Sequence, residues 1–258
     1  ANAPNGLKGS KIKFSKISVG ATENLIIAAC FAKGETVLSN CAIEPEIQDL
    51  VNFLKKVGCN IKWISKRKIK IIGVSKIKDT SYAVMFDRIE AGTYLIAAVL
   101  TNGNLTIQNL NPSTIKTEIN ILKKIGAKIK LKRNSINITG NGEIKNINLK
   151  TAPYPGFPTD LQAQIMVLLC KAKKCSYIKE DIFENRFMHV AELNRMGANI
   201  SIKGNVASIS GKTNFIGAEL MATDLRASVS LVLAALNARG KSVINLSLIH
   251  ISEPTRQM

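Results

Sequence analysis

The sequence predicts an α/β fold built from repeated strand-helix-strand-helix-strand-strand units, with apolar helices inside and sheets outside. Three observations carry this. First, a unit recurs about every 70 residues. Leu54-Lys55-Lys56-Val57-Gly58 returns as Leu122-Lys123-Lys124-Ile125-Gly126 and again as Leu193-Asn194-Arg195-Met196-Gly197. A second marker, Gly34-Glu35-Thr36-Val37, keeps the same beat at Gly103-Asn104-Leu105-Thr106, Lys174-Cys175-Ser176-Tyr177 and Gly240-Lys241-Ser242-Val243. A fixed period of this length marks a repeated supersecondary unit. Second, one helix of each unit is apolar almost all round, for example Leu95-Ile96-Ala97-Ala98-Val99-Leu100 and Ile165-Met166-Val167-Leu168-Leu169. Such a helix must be covered on every side. Third, the strands alternate apolar and polar residues, so each sheet has one wet face.

In the first unit, Lys11-Ile12-Lys13-Phe14 alternates with period two and reads as a strand. Residues 22–33 follow as an apolar helix, 36–39 as a strand and 45–57 as an amphipathic helix. Residues 60–65 and 68–72 close the unit as an alternating strand pair. Gly58, Gly126 and Gly197 each fall where a helix ends on a left-handed residue. The second unit spans about 82–140 and the third about 147–211. The fourth starts near 217 and holds one helix and one strand.

Composition narrows the class. The 258 residues are 46% hydrophobic, which suits a globular chain. The longer apolar runs, such as Leu25–Ala32 and Leu231–Leu236, are far short of a membrane span. No basic-then-apolar leader opens the chain. The five cysteines show no CxxC spacing, so reduced buried thiols and a cytoplasmic location are expected. The formal charge of +18 favours anionic partners. The lysines are scattered over polar faces rather than gathered in a run, and no nucleic-acid signature is present, so no nucleic-acid partner and no membrane partner is expected.

A polar segment precedes each apolar helix: residues 16–24, 87–93, 158–164 and 222–228. Helix N-termini offer free N–H groups to anions, and Asp, Ser and Thr there are equally ordinary caps. One further cluster, Glu184-Asn185-Arg186-Phe187-Met188-His189, reads either as a functional segment or as the start of an amphipathic helix.

Taken together, residues 18–24, Glu44-Pro45-Glu46-Ile47, Asp87-Arg88-Ile89-Glu90, residues 157–164, 184–189 and 222–228 resemble the enolpyruvyl transferases that act on UDP-N-acetylglucosamine. The resemblance runs from about residue 1 to 245, in order and with matching spacing. It implies an inside-out α/β barrel of two domains. It also implies transfer of the enolpyruvyl group of phosphoenolpyruvate to the 3'-hydroxyl of UDP-N-acetylglucosamine, with release of phosphate. This is the first committed step of peptidoglycan precursor synthesis, and it uses no cofactor and no metal. The reaction needs a base at the sugar hydroxyl and cations around phosphate and carboxylate. By resemblance, Asp160 is the aspartate that deprotonates that hydroxyl, and Asp224 is a second catalytic aspartate near the reacting carbon. Lys16, Ile17, Ser18, Val19 and Gly20 match the segment around the uridine diphosphate. Asp87, Ile182, Arg186 and Arg226 match further substrate contacts. His189 carries only a structural assignment.

The resemblance assigns residues 1–84 to the last part of a first domain and 85–245 to an incomplete second domain. It places the family's phosphoenolpyruvate-binding Lys-Asn pair and its mobile Cys- or Asp-bearing loop before this sequence, so the chain alone is expected to be inactive. The helix over 22–33 is expected to lack most of its cover, leaving an exposed apolar patch. Residues 246–258 have no counterpart in the family and read as a non-native tail, which removes His250 from the site. Two other readings stay open: the shikimate-pathway enolpyruvyl transferase, and a non-catalytic basic repeat protein that binds nucleic acid with a steep salt dependence.

Overall fold

A computed structural model describes residues 3–222 and 225–246, with side chains for all of these except 225–227 and 246. The chain divides into two compact units. One holds the residues up to Met85 together with Pro153–Pro155. The other holds Phe86–Ala152 and the residues from Gly156 onward.

In the first compact unit, β1 (Lys11–Lys13) leads through α1 (Val19–Cys30) to β2 (Glu35–Ser39). Then come α2 (Pro45–Lys56), β3 (Asn60–Ser65) and β4 (Lys68–Ile72). The sheet order is β1-β2-β4-β3. β1 and β2 run parallel because α1 carries the chain back between them, and the other pairs are antiparallel. α2 buries Ile47, Val51 and Leu54, a stripe at helical spacing, against a core that includes Ile26, Leu38, Ile69 and Ile71.

The second compact unit contains α3 (Arg88–Leu100), β5 (Asn104–Gln108), α4 (Lys116–Ile125), β6 (Lys128–Lys132) and β7 (Ser135–Thr139). Next come β8 (Asn148–Lys150), α5 (Gln162–Cys170), β9 (Ser176–Lys179), α6 (His189–Arg195), β10 (Ile200–Lys203) and β11 (Val206–Ile209). β12 (Glu219–Ala222), α7 (Leu225–Leu236) and β13 (Val243–Leu246) complete it. The sheet β8-β9-β11-β10 repeats the topology of the first unit, with β8 parallel to β9. β12 and β13 are again parallel across a helix.

The repeated Leu-x-x-x-Gly marker has a common structural cause. In all three copies the glycine has positive φ: 107° at Gly58, 122° at Gly126 and 92° at Gly197. Each glycine N–H donates to the carbonyl three residues back, Lys55, Lys123 or Asn194, at 3.0–3.1 Å. The next N–H donates to the marker leucine carbonyl, Leu54, Leu122 or Leu193, at 2.9–3.0 Å. This pair of bonds is the Schellman ending, and a Cβ at the left-handed position would strain it.

Two expectations are corrected. The second repeat has no opening strand among the described residues, and its sheet is the three-stranded β5-β7-β6. Residues 82–85 are engaged elsewhere. Tyr82 Oη donates to Asp49 Oδ1 at 2.8 Å, the Met85 N–H donates to Asp49 Oδ2 at 3.3 Å, and the Tyr82 ring meets Phe53 edge-on. Those contacts hold the segment against α2 rather than in a sheet. The first helix also begins three residues earlier than the hydrophobic pattern implies, because Ser18 caps it.

The helices-inside arrangement is seen most fully at α5. All nine of its residues are buried, between α3 and α7 and under β9 and β11. By contrast, Ile27 on α1 and Phe31 at its C-terminal cap are exposed, as are Val229, Val232 and Leu236 on α7. No helix among the described residues is long and apolar enough to cross a membrane.

Candidate active site

Asp160 sits in a short 3-10 turn, Thr159–Leu161, that leads into α5. Pro158 fixes the entry to the turn, and the fully buried Leu161 anchors it. The anchoring is tight on the α3 side: a Cβ added at Gly92 would lie 2.4 Å from Leu161 Cδ1. Arg186 lies 26 residues further on, in the loop between β9 and α6. Asn185 at φ 55° turns the chain just before it. Arg186 Nη2 donates to Asp160 Oδ1 at 3.0 Å, and Nη1 donates to Thr159 Oγ1 at 2.7 Å. The guanidinium also stacks 4.7 Å from the Phe183 ring centroid. Both members of the pair stay partly open to solvent, at 13% for the Arg186 side chain and 26% for Asp160. Beside them, Ile182 and Phe183 are exposed. A carboxylate that can accept from a hydroxyl, a guanidinium that can meet an anion and an apolar flank therefore share one patch.

The buried Glu180 organises this patch. Its Oε1 accepts from the N–H groups of Ile182 and Phe183 at 2.8 and 3.1 Å and from Thr151 Oγ1 at 2.8 Å. Its Oε2 accepts from Thr159 Oγ1 at 2.9 Å. The neighbouring Asp181 faces outward, and hydrogen bonds from Lys150 and Lys179 hold its carboxyl below the usual range.

The other expected site residues fall into three groups. Ser18 caps α1: its Oγ accepts from the Ala21 N–H at 3.3 Å, and its carbonyl accepts from Thr22 Oγ1 at 2.7 Å. Lys16 and Gly20 are exposed, while Ile17 and Val19 are half-buried. A Cβ at Gly20 would meet nothing within 4 Å, so packing does not demand glycine there. These five residues belong to the first compact unit, and Asp160 to the second. Asp87 caps α3, its Oδ1 accepting from the N–H groups of Ile89 and Glu90 at 2.7 and 3.1 Å. Asp224 lies outside the described residues, and of Arg226 only the backbone position, second in α7, is described. His250 and the rest of 247–258 are also outside them. His189 is buried at the start of α6.

Thr151, Thr159 and Glu180 were not among the residues expected at the site. The signal for Glu180 lies in β9. Ser176 and Ile178 point inward and Tyr177 and Lys179 outward, so continued alternation turns Glu180 inward. A carboxylate on a core-facing position must be hydrogen-bonded.

Burial pushes the Cys170 thiol up to about 12 and Cys41 to about 11. Burial and a hydrogen bond with Cys59 push Cys30 to about 12. Among the described residues, no group of three or more His, Cys, Asp or Glu is placed to hold a metal ion.

Residues 2–254 match the sequence profile of EPSP synthase (3-phosphoshikimate 1-carboxyvinyltransferase). The chain belongs to the EPSP synthase family. The family match runs into the segment expected to be foreign and does not set it apart. Among curated relatives, the UDP-N-acetylglucosamine 1-carboxyvinyltransferase of Pelagibacter ubique is 73% identical over 245 residues, covering 95% of this chain and 59% of the relative. The protein of the same name from Wolbachia sp. subsp. Brugia malayi is 50% identical over 248 residues, covering 96% and 58%. The chain thus spans a little under three fifths of these relatives. The enolpyruvyl transferase NikO from Streptomyces tendae superposes with a TM-score of 0.86 at 22% identity, covering 93% of this chain and 60% of that one. EPSP synthase from Acinetobacter baumannii gives 0.70 at 20% identity, covering 93% and 59%. These two structures establish the inside-out α/β fold expected for the family.

Proposed function

We propose that this chain is part of an enzyme that transfers the enolpyruvyl group of phosphoenolpyruvate to the 3'-hydroxyl of UDP-N-acetylglucosamine, releasing phosphate. The observation that carries the reading is 73% identity, across 95% of the chain, to a relative named for that acceptor. The shikimate-pathway alternative has the family profile on its side, but EPSP synthase from Acinetobacter baumannii is only 20% identical.

In this reading, residues 1–84 close one domain and 85–245 build most of a second. Asp160 takes the proton of the sugar hydroxyl, while Arg186 holds the carboxylate and adds positive charge where anionic substrate sits. Asp224 is assigned the second catalytic role, near the reacting carbon. Asp87, Ile182 and Arg226 are assigned contacts to substrate. Lys16–Gly20 hold the diphosphate at the start of α1, where N–H groups and the helix dipole favour anions. The open space at Gly20 supports this, since a bare backbone lets a phosphate approach closely. The reading places the enzyme in the bacterial cytoplasm, where its nucleotide substrate would be met. The formal charge of +18 suits two anionic substrates.

Gly20→Ala in the protein of the full reading frame that contains this sequence is expected to raise the acceptor KM about tenfold, equivalent to ~1.4 kcal/mol. Its thermal midpoint should stay level or rise, because alanine is the better helix former. Steady-state kinetics and a melting curve check both. The function itself is tested by phosphate release from phosphoenolpyruvate with each acceptor in turn. Release that requires UDP-N-acetylglucosamine is expected, and release only with phosphorylated shikimate would reassign the substrate.

A further inference from the structure

The Asp160–Arg186 pair does not stand alone. Arg186 Nη1 bonds to a hydroxyl, Thr159 Oγ1, that is itself committed as a donor to Glu180 Oε2. A hydroxyl has one proton and two lone pairs, so donating to Glu180 leaves its lone pairs to face the guanidinium. Glu180 is only 2% exposed, and its carboxylate takes four donors in all. Two of these are the N–H groups of Ile182 and Phe183, which begin the loop carrying Arg186. Asp181 N–H in turn donates to Thr151 Oγ1 at 3.0 Å, which binds the loop back to the end of β8. One buried carboxylate therefore fixes both sides of the site. It holds the 159–161 turn through Thr159, and the Arg186 loop through its backbone.

We propose that Glu180 and Thr159 are positioning residues that set the Asp160–Arg186 pair. This rests on the function proposed above only for its kinetic consequence. Neither residue needs to touch substrate. Glu180 fixes the direction of the Thr159 hydroxyl, Thr159 fixes the guanidinium, and the guanidinium fixes the Asp160 carboxylate. Sites hold their reacting groups within about half an ångström by such supporting bonds, and losing that register costs up to about a hundredfold in rate.

The decisive variant is Thr159→Val, which keeps the shape of the side chain and removes the hydroxyl. Thr159→Ser, which restores it, is the control. Both are made in the protein of the full reading frame. Thr159→Val is expected to lower kcat by about ten- to a hundredfold with the KM for phosphoenolpyruvate unchanged, and Thr159→Ser to return it to within about threefold. A merely space-filling threonine would instead leave kcat intact in the valine variant at temperatures well below its melting midpoint.

A second readout does not depend on activity. In arginine-labelled nitrogen-15 spectra, the Nη signals of Arg186, assigned by their loss in Arg186→Lys, are expected to be separate in the unsubstituted and serine proteins. They should merge in the valine variant as the guanidinium begins to rotate. Separate signals in Thr159→Val, or equal kcat loss in the valine and serine variants, would overturn the proposal. If the unsubstituted protein releases no phosphate with UDP-N-acetylglucosamine, the functional reading fails, and the spectra alone decide the positioning role.

Discussion

Asp160→Ala in the protein of the full reading frame is expected to lower acceptor-dependent phosphate release by about 10²–10⁴-fold, the range that a positioned base contributes. The loss should fall on kcat, because in the proposed reaction the proton of the sugar hydroxyl is removed as the new bond forms. Asp160→Asn should lose almost as much. An amide can still accept from Arg186 Nη2, but it cannot take a proton. The fold should survive both changes: the turn is anchored by Leu161, which is fully buried, whereas Asp160 is partly open to solvent. The check is single-turnover kinetics with a parallel melting curve. An Asp160→Asn variant within a few-fold of the parent would remove Asp160 from the role of base.

Leu168→Ala is expected to destabilise the protein by about 2–5 kcal/mol, the cost of a cavity at a site that cannot collapse. Leu168 lies in the second half of α5, where every neighbour along the helix is also buried. The same change at Leu131, exposed on β6, should cost no more than about 0.5 kcal/mol. The contrast tests the layer order directly, because it compares one residue type on an inner helix and on an outer strand. Urea unfolding midpoints with unchanged slopes would measure it. Equal costs at the two positions would contradict helices inside and sheets outside.

The repeat was legible because its signals are local. The Leu-x-x-x-Gly marker is one helix ending with one pair of backbone bonds, so three copies of the residues give three copies of the geometry. Helix burial was legible for the same reason: α5 has no polar side to turn outward. The missing opening strand of the second repeat was not legible. Residues 82–85 are held by Asp49, more than 30 residues away, and no pattern within the segment announces that partner.

The site divides in the same way. Residue types at helix starts pointed to Ser18, Asp87 and Asp160, and the structure gives the first two ordinary capping bonds. The pairing of Asp160 with Arg186 joins two different elements across 26 residues, so only the fold reveals it. Glu180 was within reach of the sequence, since strand alternation turns it inward. Its four bonds, however, draw on Thr151, Thr159 and the loop backbone together, and nothing local indicates that they converge.

The account stands most directly on the identity of the acceptor. The protein of the full reading frame would be incubated with phosphoenolpyruvate and equal amounts of UDP-N-acetylglucosamine and phosphorylated shikimate. Mass spectrometry would then show which acceptor has gained the enolpyruvyl group. The account predicts that the sugar nucleotide carries it and the shikimate compound is recovered unchanged. Enolpyruvyl shikimate phosphate as the product, with the sugar nucleotide untouched, would contradict it.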